Sequence, residues 1–302
     1  MTQVPAMVYL CVAAVASQFA HAQASDVPYV PTPMNVVEAM LDIAKVGPND
    51  FVIDLGSGDG RIVITAAKKY GARGLGVDLD AGLVQDARRE AERQGVKSKV
   101  EFQAQNLFIT DIDRATVLTT YLFPRVNMQL RPRIFSELKA GSRVVSHEFD
   151  FGNWQPDARL TVNVPDKPYG PPVSEVLLWI VPANAAGRWQ WRVALGGAQI
   201  ECEITLEQTF QMLKGSARVA GSPARIENPR LRGEDIRLVL VANMNGRELR
   251  QELSGRISGD TIHGRARLPA AASDAQWQAT RVARGKINID AAAGAPAVAA
   301  HF

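Results

Sequence analysis

Gly56, Gly58 and Gly60 stand two residues apart between an apolar run, Phe51–Leu55, and a run with helical periodicity, Arg61–Lys69. Glycine lacks a Cβ, so a turn built from three of them can bend sharply and let a ligand approach the backbone, while the helix that follows begins with unpaired amides. The pattern commits this part of the chain to strand, turn and helix. In the dinucleotide fingerprint G-x-G-x-x-G the third glycine follows the second by three positions, and here it follows by two, so the spacing departs from the nicotinamide pattern.

The alternation continues downstream. Residues 74–77, 100–102, 116–122 and 143–149 read as strands, and 81–94 and 125–138 as helices, the first closed by Gly95 and the second ended near Gly141. Strand and helix in this order predict a parallel sheet with right-handed crossovers, an α/β doubly wound domain. Ahead of it, Thr32 reads as an N-cap with Pro33 at the first helical position, and Val36, Val37, Met40, Leu41 and Ala44 recur at helical spacing up to Gly47-Pro48. Residues 160–164 and 176–181 have no helix between them and are expected to finish the sheet as an antiparallel pair.

At 182–187 the character changes to short alternating segments punctuated by glycine and by Asn245-Gly246, the pattern of a small all-β antiparallel sandwich or barrel. With 302 residues the chain exceeds the ~250 at which a single core stops growing, so the expected parts are 27–182 and 188–284, with a flexible tail at 285–302. Residues 208–213 fit a helical turn or a strand edge. Trp189 and Trp191 fall on one face by alternation, and Cys202 falls on the apolar face of its strand as a small buried hydrophobe.

A hydrophobic fraction of 46% excludes disorder throughout, and 34 basic against 31 acidic residues without a long basic run argues against a nucleic-acid partner. Residues 6–19 are apolar and uncharged, and Ala20-His21-Ala22 supplies an A-x-A cleavage pattern, so 1–22 read as an export signal too short to span a membrane. Cleavage places the mature chain in the periplasm or outside the cell; without it the chain is cytoplasmic. The cut would also remove Cys11 and leave Cys202 without an intramolecular disulfide partner. No segment fixes the oligomeric state.

Candidate chemistry gathers at the predicted strand ends. Asp78 closes the second strand 20 residues beyond Gly58, where a carboxylate can accept hydrogen bonds from both hydroxyls of a ribose. Asp80 reads as the cap of the next helix. Asn106 follows the third strand, either as a turn residue or with its side-chain oxygen accepting from an adenine amino group. His147 and Glu148 end the fifth strand, as a base near neutrality or as a strand terminus. No cluster of His, Cys or acidic residues has metal-ligand spacing, and no G-x-S-x-G elbow is present.

Strand, G-x-G-x-G, helix and a second strand ending in Asp together resemble class I S-adenosylmethionine-dependent methyltransferases. Tyr29-Val30-Pro31-Thr32-Pro33, residues 54–63 and Tyr121-Leu122-Phe123-Pro124 narrow the resemblance to the branch related to the protein-lysine methyltransferases of the adenine nucleotide translocase and of the ATP synthase c-subunit. The resemblance implies a Rossmann-like, seven-stranded methyltransferase sheet and S-adenosyl-L-methionine as cofactor. Asp54, Gly56, Ser57, Gly58 and Gly60 would then serve its methionine end, Asp78 its ribose and Asn106 its adenine edge. Where many N-methylating enzymes carry an Asp/Asn-Pro-Pro-aromatic tetrad, this chain has Tyr121 to Pro124; Tyr121 reads either as the group that aligns an amine, assisted by Asn127, or as a core tyrosine at a strand end, and a protein lysine is the implied acceptor. Two other classes share parts of this pattern: an NAD(P)-dependent oxidoreductase, and an exported binding or scaffold protein with a vestigial nucleotide fold.

Overall fold

The computed structural model describes residues 29–168, 170–195, 198–244, 246–268 and 274–290. The export-signal reading of 1–22 lies outside them. Helix α1, Met34–Ile43, buries Val36, Val37, Met40 and Leu41, the face expected from their spacing. These residues form a core with Val52, Val117, Val145, Val176 and Leu178. Its start differs from expectation: Pro33 occupies the N-cap position, and no side chain caps the helix. Thr32 is instead drawn away to a tertiary partner, described below.

Five parallel strands follow, β1 Phe51–Leu55, β2 Arg73–Asp78, β3 Val100–Ala104, β4 Val117–Thr120 and β5 Arg143–His147, interleaved with α2 Arg61–Lys69, α3 Ala81–Arg93 and α4 Pro124–Glu137. Asp80 caps α3, its Oδ1 accepting from the amides of Gly82 at 2.7 Å and Leu83 at 3.2 Å. β6, Ala158–Asn163, and β7, Val173–Ile180, complete a seven-stranded sheet in the order β3-β2-β1-β4-β5-β7-β6, with β7 antiparallel to both neighbours, as expected of that pair. The strand order reverses between β1 and β4, and in such sheets the ligand crevice lies outside the carboxyl ends at that switch point.

Residues 187–284 form eight strands: β8 Gly187–Leu195, β9 Ala198–Thr209, β10 Met212–Val219, β11 Ser222–Arg232, β12 Asp235–Met244, β13 Arg247–Ser258, β14 Thr261–Arg267 and β15 Ala275–Arg284. Each runs antiparallel to its predecessor, and β15 pairs back onto β8, so the meander closes into a barrel with no free edge. Trp189, Trp191, Trp277 and Cys202 are buried in its core. Residues 208–213 are the hairpin between β9 and β10. β11 has no counterpart in the sequence pattern, because only Leu231 of it is buried and a bulge at Glu227/Arg230 breaks the alternation.

Residues 183–186 are a rigid junction, since Ala183, Ala185 and Ala186 are buried and Arg281 donates to the carbonyls of Asn184 and Ala186. Within the expected tail 285–302, β16, Ile287–Asn288, pairs parallel with β9 at Gln208 and Thr209; the flexible-tail reading thus fails for these residues, because a backbone partner is available, and 291–302 lie outside the description.

Candidate active site

The glycine turn is built as its residue types require. Gly56, Gly58 and Gly60 have φ of 80°, 52° and 78°, in the left-handed region. A Cβ on Gly60 would lie 2.6 Å from the Phe102 ring, so this glycine serves packing of the turn on β3. The turn is held from within. The amides of Gly56 and Ser57 donate to the Val77 carbonyl at 2.9 Å, and the amide of Gly60 to Ser57 O at 2.9 Å. Asp78 reaches across from β2, its Oδ2 accepting from the Gly58 amide at 2.9 Å and its Oδ1 from the Asp80 amide at 3.0 Å. The Arg61 amide is taken by Asp59. These amides are spent inside the loop; beside the turn lie the half-buried Asp78 and the buried Asp54, while the Asp59 carboxylate is paired with the Arg61 guanidinium at 2.5 Å.

Asp54, at the penultimate position of β1, is buried, with Thr119 of β4 donating to its Oδ1 at 2.7 Å. Burial pushes its carboxyl up to about 7; the Thr119 hydroxyl opposes this, and the negative charges of Asp78 and Asp59 add to it. A carboxyl poised in this way gains most when a cation arrives beside it.

The strand ends toward β5 carry a different chemistry. Tyr121, directly after β4, lies with its ring centroid 4.0 Å from that of His147 and 6.0 Å from that of Phe149, and Phe123 lies 5.6 Å from Phe149. His147 is buried, its Nδ1 3.2 Å from Thr32 Oγ1 and its Nε2 without a hydrogen-bond partner. Burial holds the imidazole down to about 4, hence neutral at physiological pH, with Glu148 opposing and Lys167 reinforcing the shift. Glu148 pairs with Lys167, which also donates to Val173 O at 2.7 Å. Thr32 O accepts from Arg61 Nη1 at 2.8 Å, so Thr32 is tied both to the start of α2 and to the end of β5.

The structure therefore brings together Asp54, Gly56, Ser57, Gly58, Gly60 and Asp78 on one side, and Tyr121 with His147 on the other. It redirects two predicted residues. The oxygen of Asn106, expected at an adenine, accepts from the Phe108 amide at 2.9 Å as the cap of a 3₁₀ turn. Asn127, expected beside Tyr121, is fully buried in α4, and its Nδ2 donates to the carbonyls of Phe149 and Asp150 at 3.2 Å. That amide nitrogen shapes a loop, and the Asn127 Oδ1 is buried without a hydrogen-bond partner. Sequence reasoning misses Thr32 and Thr119 as parts of the site. Thr32 sits in the motif ahead of α1, where its spacing suggests a local cap; Thr119 has no local signal, because its partner is 65 residues away.

A cofactor with an adenosyl group and a cationic methionine end fits the first cluster. Ser57 Oγ, Thr120 Oγ1, Ser146 Oγ and His147 Nε2 are buried atoms without hydrogen-bond partners at the carboxyl ends of β1, β4 and β5, and buried polar atoms ordinarily find partners.

Comparison with known proteins points the same way. Residues 54–158 match the ANTKMT methyltransferase domain. A protein-lysine N-methyltransferase of Saccharolobus islandicus is 47% identical over 137 residues, covering 45% of this chain and 85% of that protein. The adenine nucleotide translocase lysine N-methyltransferase of Mus musculus is 38% identical over 133 residues, 44% of this chain and 57% of that protein, so the chain spans little more than half of this relative. A crystal structure of a Salinibacter ruber protein, described as an RNA methyltransferase in complex with S-adenosyl-L-homocysteine, is 48% identical, covering 50% of this chain and 93% of that one with a TM-score of 0.46.

Proposed function

Because this chain belongs to the ANTKMT methyltransferase-domain family of S-adenosylmethionine-dependent enzymes, we propose that it transfers a methyl group to the side-chain amine of lysine in a protein acceptor. The observation that carries the reading is the convergence of Asp78 and the glycine turn at the switch point of the sheet, through the bond from Gly58 N to Asp78 Oδ2. S-adenosylmethionine, when bound, supplies a methyl group on a positively charged sulfur. Asp78 orients its ribose through the carboxylate lone pairs that Gly58 and Asp80 leave open. Asp54 would serve its cationic end, since a positive charge beside the raised carboxyl favours its ionised form, whereas Asp59 is already paired with Arg61.

The acceptor amine must arrive neutral and aligned within about 3 to 3.5 Å of the methyl carbon. Tyr121, Phe149 and the neutral imidazole of His147 form an aromatic wall that disfavours a hydrated ammonium and packs along the aliphatic stem of a lysine. Tyr121 is the group that aligns the nitrogen, and His147, backed by Thr32, fixes the Tyr121 ring. Positioning and exclusion of water then supply the rate, and few further side chains are needed.

The test has two parts. Calorimetric titration with S-adenosyl-L-homocysteine should give saturable binding that weakens by about 5- to 150-fold in Asp78→Ala, the equivalent of ~1 to 3 kcal/mol for lost hydrogen bonds to a charged group. Labelling of cell extract with tritiated S-adenosylmethionine, followed by mass spectrometry, should then find the methyl group on lysine nitrogen. Label confined to RNA or to small molecules would overturn the acceptor assignment; absence of S-adenosyl-L-homocysteine binding to folded protein would overturn the whole reading.

A further inference from the structure

The barrel meets the seven-stranded sheet domain at its β11–β12 turn, where Gly233 lies against Gly141 and Ile180, and at the tip of its β9–β10 hairpin, and the second contact leads to the acceptor wall. Phe210 forms the tip. Its backbone is left-handed, φ 51°, a conformation a bulky residue holds only when its surroundings impose it. Three contacts do so: the Phe210 amide donates to Asn288 O of β16 at 3.2 Å, its carbonyl accepts from Gln208 Nε2 at 2.7 Å, and the Gln208 Oε1 accepts from the Ala185 amide at 2.7 Å. The ring is buried. It stacks on Trp154 with centroids 6.3 Å apart, meets Phe135 of α4 at 5.8 Å, and lies under the Arg131 guanidinium at 5.2 Å.

Trp154 belongs to the β5–β6 connection, residues 148–157, and so do the groups that Arg131 and Gln211 hold. Arg131 Nη1 donates to Phe151 O at 3.1 Å and to Asn153 Oδ1 at 2.6 Å. Phe151 and Trp154 are bridged to each other and packed on Trp179, whose Nε1 donates to Trp154 O at 2.7 Å. Gln211, next to Phe210, donates to Gln155 O at 2.6 Å. At the other end of the same connection, Asn127 holds the carbonyls of Phe149 and Asp150, and the Phe149 ring faces Tyr121 and Phe123. The chain of contacts thus runs from barrel to Phe210, to Trp154 and Arg131, to the backbone of 149–153, and to the cleft.

We propose that Phe210 is a positioning residue for methyl transfer: it docks the barrel on the β5–β6 connection and thereby sets Phe149 as one wall of the acceptor cleft. The barrel acts on the site mechanically, and the cofactor side, built on β1 and β2, is independent of it. This inference rests on the methyltransferase reading, and its test separates the two. In full-length Phe210→Ala, amides of residues 149–153 should exchange hydrogen at least about tenfold faster than in the parent, while amides of β1 and of the glycine turn keep their protection. The affinity for S-adenosyl-L-homocysteine should stay within about twofold, and the KM for poly-L-lysine as methyl acceptor should rise about tenfold with kcat within about threefold, the mark of lost positioning of the acceptor.

Phe210→Tyr, which keeps the ring, should restore both readouts, and Gln211→Ala should give a smaller change of the same kind. Unchanged exchange at 149–153 in folded Phe210→Ala overturns the proposal, as does exchange that accelerates equally over the whole chain. Should Phe210→Ala fail to fold, Phe210→Leu carries the same comparison. Failure of the parent to bind S-adenosyl-L-homocysteine overturns the proposed function, and the exchange result still decides the coupling.

Discussion

The sheet domain and the barrel solve the problem of buried polar groups in opposite ways. In the sheet domain, Ser57 Oγ, Thr120 Oγ1, Ser146 Oγ and His147 Nε2 are unpartnered buried atoms at the carboxyl ends of β1, β4 and β5, and Asn127, Arg131, Trp154 and Ser174 carry others on α4, the β5–β6 connection and β7. The barrel pairs every strand to two neighbours around its ring, and its interior is apolar apart from isolated groups such as Gln251 and the indole nitrogens of Trp191 and Trp277. An open α/β sheet leaves its switch point free for a ligand, whereas a meander closed by β15 on β8 removes its own edges. The first architecture holds chemistry, and the second holds shape.

Glycine substitutions test this contrast with the largest expected effect. Gly60→Ala forces a Cβ to within 2.6 Å of Phe102 and 2.9 Å of Ala87 in a left-handed conformation, so unfolding in urea should show a loss of about 3 to 5 kcal/mol. Gly259→Ala in the β13–β14 turn, φ 58° with nothing within 4 Å, should cost only about 1 to 2 kcal/mol, the conformational part alone. Equal losses would mean that the turn of the sheet is no more tightly packed than one of the barrel.

The next effect is electrostatic and confined to the sheet. Asp54 has a carboxyl raised in the folded state to about 7, so the unfolded chain ionises first and Asp54 costs stability increasingly as pH rises from about 4 to 7. His147 is lowered to about 4, so its contribution is present above the ordinary histidine value and is lost as pH falls from about 6.5 to 4. The two slopes oppose each other in the parent. Asp54→Asn should therefore stabilise the protein at pH 8 by on the order of 4 kcal/mol, with little gain at pH 4, while weakening S-adenosyl-L-homocysteine binding. Thermal melts at both pH values, paired with calorimetry, check the sign. A variant equally stabilised at both would remove the case for a raised carboxyl.

The smallest effect belongs to the barrel. Burial pushes the Cys202 thiol up to about 11, opposed by a hydrogen bond from Gln251 Nε2 to Sγ, so in a Cys11→Ser background Cys202 should react with a thiol reagent only as fast as the barrel opens. Rapid labelling under native conditions would show that the barrel breathes more than the sheet.

Much of the sheet is legible in the sequence because its signals are local. The glycine spacing places a turn between β1 and α2, Asp78 falls at the end of β2, and the apolar face of α1 follows from helical spacing. Thr32, Asn106 and Asn127 depart from expectation for one reason. Each has a side chain that can serve a nearby backbone group or a distant one, and sequence proximity does not decide between them. Thr32 goes to a partner 115 residues away, Asn106 to one two residues away, and Asn127 to carbonyls 22 and 23 residues away. β11 escapes notice because a strand with one buried residue carries almost no alternation.

By itself the order of residues determined which segments become strands, where the backbone needs left-handed turns, and which carboxylate meets the glycine loop, since backbone sterics and hydrophobic periodicity act over a few residues. Only the tertiary structure decided that the β segments close into a barrel, that Phe210 abuts Trp154, and that His147 is neutral beside Tyr121. Those outcomes depend on burial and on contacts between residues tens of positions apart, which no local pattern encodes.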